Sequence, residues 1–158
     1  AYQQWNKAQM FYNNKAYEAA LEVYEPLYPL LKHKPEFLFE AAQSLSKTGQ
    51  YEKANEYLER AVLLSSDPML YYVMAKNEQC LGEYRQAEKH LLHAIDILPE
   101  RIYPYYLLMN LYTEPSYFQP AKLKMAIDSV LTKKPKVESS AIKEMKEKAR
   151  SMLNNTSI

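Results

Sequence analysis

The 158-residue sequence predicts an all-α protein, an α-solenoid in which pairs of antiparallel helices stack on one another. Three observations support this prediction. Anchor residues recur every 33 or 34 residues, the apolar residues within each copy follow helical spacing, and only two glycines accompany many alanines, leucines, glutamates and lysines. A single unit of this kind cannot bury its apolar face alone, so neighbouring units are expected to stack.

The repeat is clearest in the skeleton G-x-Y-x-x-A-x-x-x-L-x-x-A. It occurs in TGQYEKANEYLERA and again in LGEYRQAEKHLLHA, while a third copy, NKAYEAALEVYEPL, has Lys15 where the other two have glycine. The tyrosines of the three copies, Tyr17, Tyr51 and Tyr84, are 34 and 33 residues apart. This regularity indicates a fixed period.

The period divides the chain into repeats at residues 1–34, 35–67 and 68–100, followed by a degenerate repeat at 101–135 and a capping helix at about 138–153. Each repeat is predicted to be a helix, a tight turn and an antiparallel helix. Gly49 and Gly82 fall at the turn, where a left-handed residue commonly ends a helix. Ala54 and Ala87 lie where the paired helices must approach closely.

The last part of the chain departs from the pattern. In the degenerate repeat, RIYPYYLLMNLY supplies a first helix, TEPSYFQP replaces the glycine turn, and AKLKMAIDSVLTKKP supplies a second helix beginning near Pro120. VESSAIKEMKEKARSML has one apolar stripe with charges elsewhere, as a solenoid cap requires, and Ser139 or Ser140 is a candidate N-cap. Lys146 is expected on its solvated face, where replacement by alanine would be nearly neutral.

Charge and composition favour a non-catalytic role without nucleic acid. The net charge is +1, and although residues 121–150 carry a local excess of five positive charges, the lysines are interleaved with glutamates and a solvated face is favoured. The single cysteine, Cys80, excludes an internal disulfide, and His90 and His93 lack an obvious third ligand, so neither a metal nor a cofactor is expected. No apolar run is long enough to span a bilayer.

The repeated anchors resemble the tetratricopeptide repeat, and this resemblance implies a right-handed solenoid with a concave groove lined by the first helices. In that family the fifth and ninth places of each repeat face the groove. Carried onto this sequence, these places predict a partner-binding row of rings beside a row of mostly amide side chains: Trp5, Phe39, Tyr72 and Tyr106, with Gln9, Gln43, Lys76 and Asn110.

Such a surface could bind an extended peptide, because rings give apolar contact and amides pair with the peptide backbone. The alternative is that the rings pack between repeats or against the C-terminal helix. Members of the family that capture chaperone tails use cationic clamps, and here the clamp positions lack cations, which argues against that ligand. Those positions are Trp5, Gln9, Glu40, Met69 and Val73.

Longer segments, among them YEPLYPLLKHKPEFLFEAAQSLSKTGQYEKAN and LSSDPMLYYVMAKNEQCLGEYRQAE, resemble the C-terminal tetratricopeptide region of bacterial O-antigen ligase or polymerase-like membrane proteins. The resemblance implies a soluble tail, a fragment of a larger inner-membrane protein, that scaffolds surface-polysaccharide assembly on an undetermined side of the membrane. A stand-alone adaptor and a glycan-binding accessory domain remain alternatives, and so does self-association through the array ends.

Overall fold

The computed structural model describes residues 1–155, and every regular element in that range is helical. The chain divides into two compact units, of which unit 1 is Ala1–Gly82. Its helices are α1 (Tyr2–Asn13), α2 (Tyr17–Leu31), α3 (Pro35–Lys47), α4 (Tyr51–Val62) and α5 (Met69–Cys80). These helices fit the first two predicted repeats and the first helix of the third.

Unit 2 begins at Glu83. Its helices are α6 (Tyr84–Ile97), α7 (Tyr103–Tyr112), α8 (Pro120–Thr132) and α9 (Ser140–Asn155), with a short 3₁₀ turn at Pro115–Tyr117 between α7 and α8. Helix α9 lies where the capping helix is predicted, and it packs against both α7 and α8. The grouping of all the repeats into one domain stays a prediction.

Within unit 1, successive helices pack in antiparallel pairs around a continuous apolar core. Helix α3 also contacts both α1 and α5, so the first helices of the repeats form one layer. Phe37, Leu38 and Leu45 of α3 and Tyr24 and Leu58 of the neighbouring helices are completely buried. The apolar stripe predicted from helical spacing is thus the core of this unit.

A buried amide pair fixes α5 against α4. Asn77 donates through Nδ2 to Asn55 Oδ1 at 2.8 Å, and Asn55 donates to the backbone carbonyl of Met74 at 3.3 Å. Both asparagines are at least nine-tenths buried, so each bond replaces water that burial removes. The pair therefore sets the register of α5 on the layer that it shares with α1 and α3.

The predicted left-handed turns are confirmed. Gly49 and Gly82 have φ values of +83° and +77°, and Lys15, which replaces glycine in the first repeat, has φ +61°. A side chain with a Cβ atom is strained in this region, because Cβ approaches the backbone. The repeat geometry has therefore forced the lysine into the conformation of the glycine that it replaces.

Replacing Lys15 with glycine should stabilise unit 1 by up to about 1 kcal/mol, since relief of the left-handed strain outweighs the greater freedom of glycine in the unfolded chain. Urea denaturation of the variant measures this change. Gly49→Ala is the matched control, because a Cβ atom there meets no other atom within 4 Å and only backbone strain opposes it. We expect that control to destabilise; an unchanged or lower midpoint for Lys15→Gly would contradict the account.

The structure corrects the expectation for Lys146. Its ammonium group donates to the carbonyl oxygens of Val130, Leu131 and Lys133 at 2.8, 3.2 and 2.9 Å. These carbonyls lie at the C-terminal end of α8, where the helix leaves acceptors without internal partners and where a cation is favoured by the helix dipole. Lys146 therefore caps α8 from α9. At the start of α9, Ser139 is the N-cap that the sequence predicted, since the backbone N–H of Ile142 donates to its hydroxyl at 3.2 Å.

Lys146→Met should lower the stability of unit 2 by about 1–2 kcal/mol, because the side chain keeps its length but loses charge-assisted hydrogen bonds. The control is Lys143→Met, since Lys143 is exposed on the same helix. Thermal unfolding monitored by circular dichroism compares the two. Equal melting temperatures would restore the original expectation of a neutral site.

Candidate functional site: the first-helix face of unit 1

The layer formed by α1, α3 and α5, here called the first-helix face of unit 1, carries most of the predicted partner-binding residues. Five of the eight lie on it with some exposure: Trp5 and Gln9 on α1, Phe39 and Gln43 on α3, and Lys76 on α5. Tyr72, also on α5, is only 5% exposed and is part of the interior. Tyr72 therefore packs in the interior of this unit.

Glu40 brings two of the predicted residues together. Trp5 donates through Nε1 to Glu40 Oε1 at 2.8 Å, and Gln9 donates through Nε2 to Glu40 Oε2 at 3.0 Å. Tyr24 of α2 donates its hydroxyl to Oε1 at 3.0 Å. Since all three partners are donors, both oxygens of Glu40 act as acceptors, as in an ionised carboxylate.

The negative charge of Glu40 contributes to raised pKa values at two tyrosines of the same unit. Burial, followed by the negative charge of Glu40, raises the pKa of Tyr24. The same two causes raise the pKa of Tyr12, against a smaller opposing effect from a hydrogen bond with Gln43. Both tyrosines therefore remain neutral at physiological pH, and the hydroxyl of Tyr24 is the one that donates to Glu40.

The ring of Trp5 is shared between the interior and the surface. It lies edge-on to Phe37, with 5.8 Å between centroids, and stacks on the exposed Tyr2 at 5.9 Å. Trp5 is accordingly half-buried, and its one polar atom is already bonded to Glu40. Trp5 therefore contacts the interior through Phe37, and its role in partner binding stays a prediction.

The two remaining predicted residues, Tyr106 and Asn110, lie on α7 in unit 2. The ring of Tyr106 is half-buried, stacks on Tyr103, and lies under the ammonium group of Lys148 on α9 at 5.5 Å. Asn110 is also half-buried, and its buried Oδ1 has no hydrogen-bond partner among residues 1–155. In this unit, part of the predicted row is therefore in contact with the capping helix.

A second carboxylate that the sequence did not single out organises unit 2. Glu88 of α6 is 9% exposed and accepts hydrogen bonds from the hydroxyls of Tyr112 and Tyr117, each at 2.5 Å, and from Lys122 at 3.0 Å. Burial alone would raise the pKa of this carboxyl, but the three hydrogen bonds together with the positive charge of Lys122 outweigh it and lower the pKa below its usual value. Glu88 thus links α6 by hydrogen bonds to α7, to the 3₁₀ turn at Pro115–Tyr117 and to α8.

Neither a metal-binding cluster nor a membrane-spanning helix is found in the described part of the chain. Among residues 1–155, no three His, Cys, Asp or Glu side chains are placed to hold a metal ion. Within the same range, no helix combines the length and apolar character needed to cross a bilayer. The exposed and half-buried groups on the first-helix face of unit 1 are rings, amides, the Glu40 carboxylate and the Lys76 ammonium group.

Comparisons with known proteins agree on a repeat fold. Mouse (Mus musculus) tetratricopeptide repeat protein 21A is 35% identical over 86 residues, covering 54% of this chain and only 6% of that protein. MamA (residues 41 to the end) from Desulfovibrio magneticus RS-1 superposes with a TM-score of 0.74 at 18% identity, covering 99% of this chain and 96% of that one.

The Yersinia enterocolitica type III secretion chaperone SycD, in complex with a peptide of the translocator YopD, superposes with a TM-score of 0.57 at 17% identity, covering 96% of this chain and 92% of that one. These similarities to solved structures establish the fold, which is of the tetratricopeptide type. A sequence model of the family "Anaphase-promoting complex, cyclosome, subunit 3" matches residues 6–94, more than half of the chain. This chain therefore belongs to that family.

Proposed function

We propose that this chain is a non-catalytic protein-interaction module whose first-helix face in unit 1 binds an extended segment of a partner protein. The observation that carries the proposal is the exposed layer of α1, α3 and α5, where half-buried rings alternate with amide side chains. Trp5 and Phe39 offer apolar surface, while Gln9 and Gln43 offer donors and acceptors. A peptide in extended conformation needs both, because its backbone groups must be paired as they leave water.

The preorganisation of this face supports the proposal. Trp5 and Gln9 are held in place by Glu40, so little side-chain freedom is lost when a ligand binds. SycD, a protein of similar fold, is described in complex with a peptide of YopD. That complex is a precedent for peptide binding by an array of this fold.

A displayed library of random 12-residue peptides, selected on this chain, tests the proposal. Affinities of the selected peptides are measured by fluorescence anisotropy for the wild type and for Phe39→Ala, with Phe118→Ala as the control, since Phe118 is a half-exposed ring on the irregular turn of unit 2. We expect Phe39→Ala to weaken binding about 10-fold, as loss of a contact ring typically does, and Phe118→Ala to leave it unchanged. Weaker binding by Phe118→Ala together with unchanged binding by Phe39→Ala would exclude the first-helix face as the binding surface. So would a selection that yields no peptide.

The wider setting is a separate proposal, which rests on the resemblance to O-antigen ligase or polymerase-like proteins. In that setting the module would be the tail of a membrane protein and would recruit other components of surface-polysaccharide assembly. None of the relatives described above is such a ligase, so the parent gene provides the test. About ten apolar stretches of roughly 20 residues encoded upstream of Ala1 would support this setting; a start codon immediately before Ala1 would contradict it and favour the stand-alone adaptor.

A further inference from the structure

The Glu40 carboxylate has an acceptor position that the protein does not use. A carboxylate offers about four acceptor sites, two on each oxygen. Trp5 and Tyr24 occupy both on Oε1, whereas Gln9 occupies one on Oε2. Glu40 is partly exposed and so is not a member of the closed core.

The charge of Glu40 is also uncompensated. Its three hydrogen-bond partners are neutral groups, and no Lys, Arg or His among residues 1–155 forms an ion pair with it. Glu88 in unit 2 shows the contrast, because there Lys122 supplies a cation at 3.0 Å. The three neutral hydrogen bonds are thus the interactions that stabilise the charge of Glu40.

The surroundings of Glu40 favour a cation. The indole of Trp5 is hydrogen-bonded to Glu40, and aromatic faces attract ammonium and guanidinium groups. Trp5, Gln9 and Glu40 meet in the structure, with the acid at their centre.

We propose that Glu40 is the anchor of a lysine-recognition site, in which Oε2 accepts a hydrogen bond from a lysine ammonium of the bound partner segment. Lysine suits a single open acceptor because its ammonium is a compact charge that donates from one point. Arginine is less suited, because its fork prefers both carboxylate oxygens and Oε1 is already filled. This inference rests on the proposed function, since it names the chemistry of the peptide that binds the same face.

The test uses peptides from the selection described above, each lysine being replaced in turn by acetyl-lysine, glutamine or arginine. Acetylation removes the charge while the protein stays unchanged, so it cannot be confused with misfolding. We expect one lysine in each peptide whose acetylation weakens binding to the wild type about 10-fold, the effect of losing a charge-assisted hydrogen bond. Arginine at that position should bind no better than lysine, and tighter binding would overturn the assignment of a single open acceptor.

Glu40→Gln completes a double-mutant cycle, with Glu59→Gln as the control because Glu59 is exposed on α4. Glu40→Gln also disturbs the hydrogen bonds that hold Trp5 and Gln9, so it should weaken both peptides, but the loss should be about 10-fold larger for the lysine peptide than for the acetylated one. Glu59→Gln should affect neither. Peptides that depend on Phe39 but show no dependence on lysine charge would overturn this inference and leave the proposed function intact. If Phe39→Ala has no effect on any peptide, the proposed function itself fails.

Discussion

Phe37→Ala is expected to lower the free energy of unfolding of unit 1 by about 3–5 kcal/mol, the usual cost of removing a large ring from a closed core. Phe37 is completely buried, and its ring lies edge-on to both Trp5 and Tyr24, the latter at 5.5 Å between centroids. The variant leaves a cavity at the centre of the α1, α2 and α3 packing. Urea denaturation followed by Trp5 fluorescence measures the loss directly, because Trp5 is the only tryptophan in the chain.

Phe39→Ala is the matched control, since it makes the same chemical change two residues away on the same helix. Phe39 is only half-buried, so its removal should cost clearly less stability than the removal of Phe37 while weakening peptide binding. The two variants therefore separate folding from recognition. Equal losses of stability would show that both rings serve the core and would remove Phe39 from the proposed binding face.

Glu88→Leu is expected to destabilise unit 2 by about 2–4 kcal/mol, because it leaves buried donors without their acceptor. The hydroxyl of Tyr112 would suffer most, since Tyr112 is only 4% exposed. The ion pair contributes less, as Lys122 is half-exposed to solvent. Thermal unfolding compares this variant with Glu147→Leu, an exposed glutamate on α9 whose replacement should be nearly neutral; similar melting temperatures would show that Glu88 does not organise the unit.

The contribution of Glu88 should also depend on pH. The pKa of its carboxyl is lower in the folded chain than its usual value of 4.5, so the folded state favours the ionised form. The stability that this preference supplies is present at neutral pH and is lost as the pH falls below that usual value through the folded pKa. The stability difference between the wild type and Glu88→Gln should therefore shrink in acid. A difference that stays constant from neutral pH to pH about 3 would contradict the assigned cause.

The sequence predicted the helices well because the repeat imposes the same geometric demands in each copy. The glycine turns show this most clearly, since Lys15 takes a left-handed conformation where its repeat lacks the glycine. Lys146 shows the limit of the pattern. An amphipathic stripe identifies which side of α9 is apolar, but it does not reveal that a lysine at the edge of this stripe reaches the carbonyl groups at the end of α8.

The candidate site was predicted in part, and the reason is the distance between its members along the chain. Trp5 and Gln9 follow from their places in the repeat, but Glu40 is 35 and 31 residues away from them. In the sequence, Glu40 was notable only because it is not a cation. Its role as an acceptor for Trp5 and Gln9 depends on α1 lying beside α3. Glu88 was missed for the same reason, since its partners lie in the repeat that least resembles the others.

The central claim, that the first-helix face of unit 1 binds a partner segment, is tested most directly by nuclear magnetic resonance of the chain titrated with a selected peptide. The single indole N–H signal comes from Trp5, whose hydrogen bond to Glu40 lies within the proposed site. We expect this signal and the side-chain amide signals of Gln9 and Gln43 to shift most, while signals from the exposed residues of α2 and α4 remain in place. Shifts concentrated on α2 and α4, with an unchanged indole signal, would contradict the account.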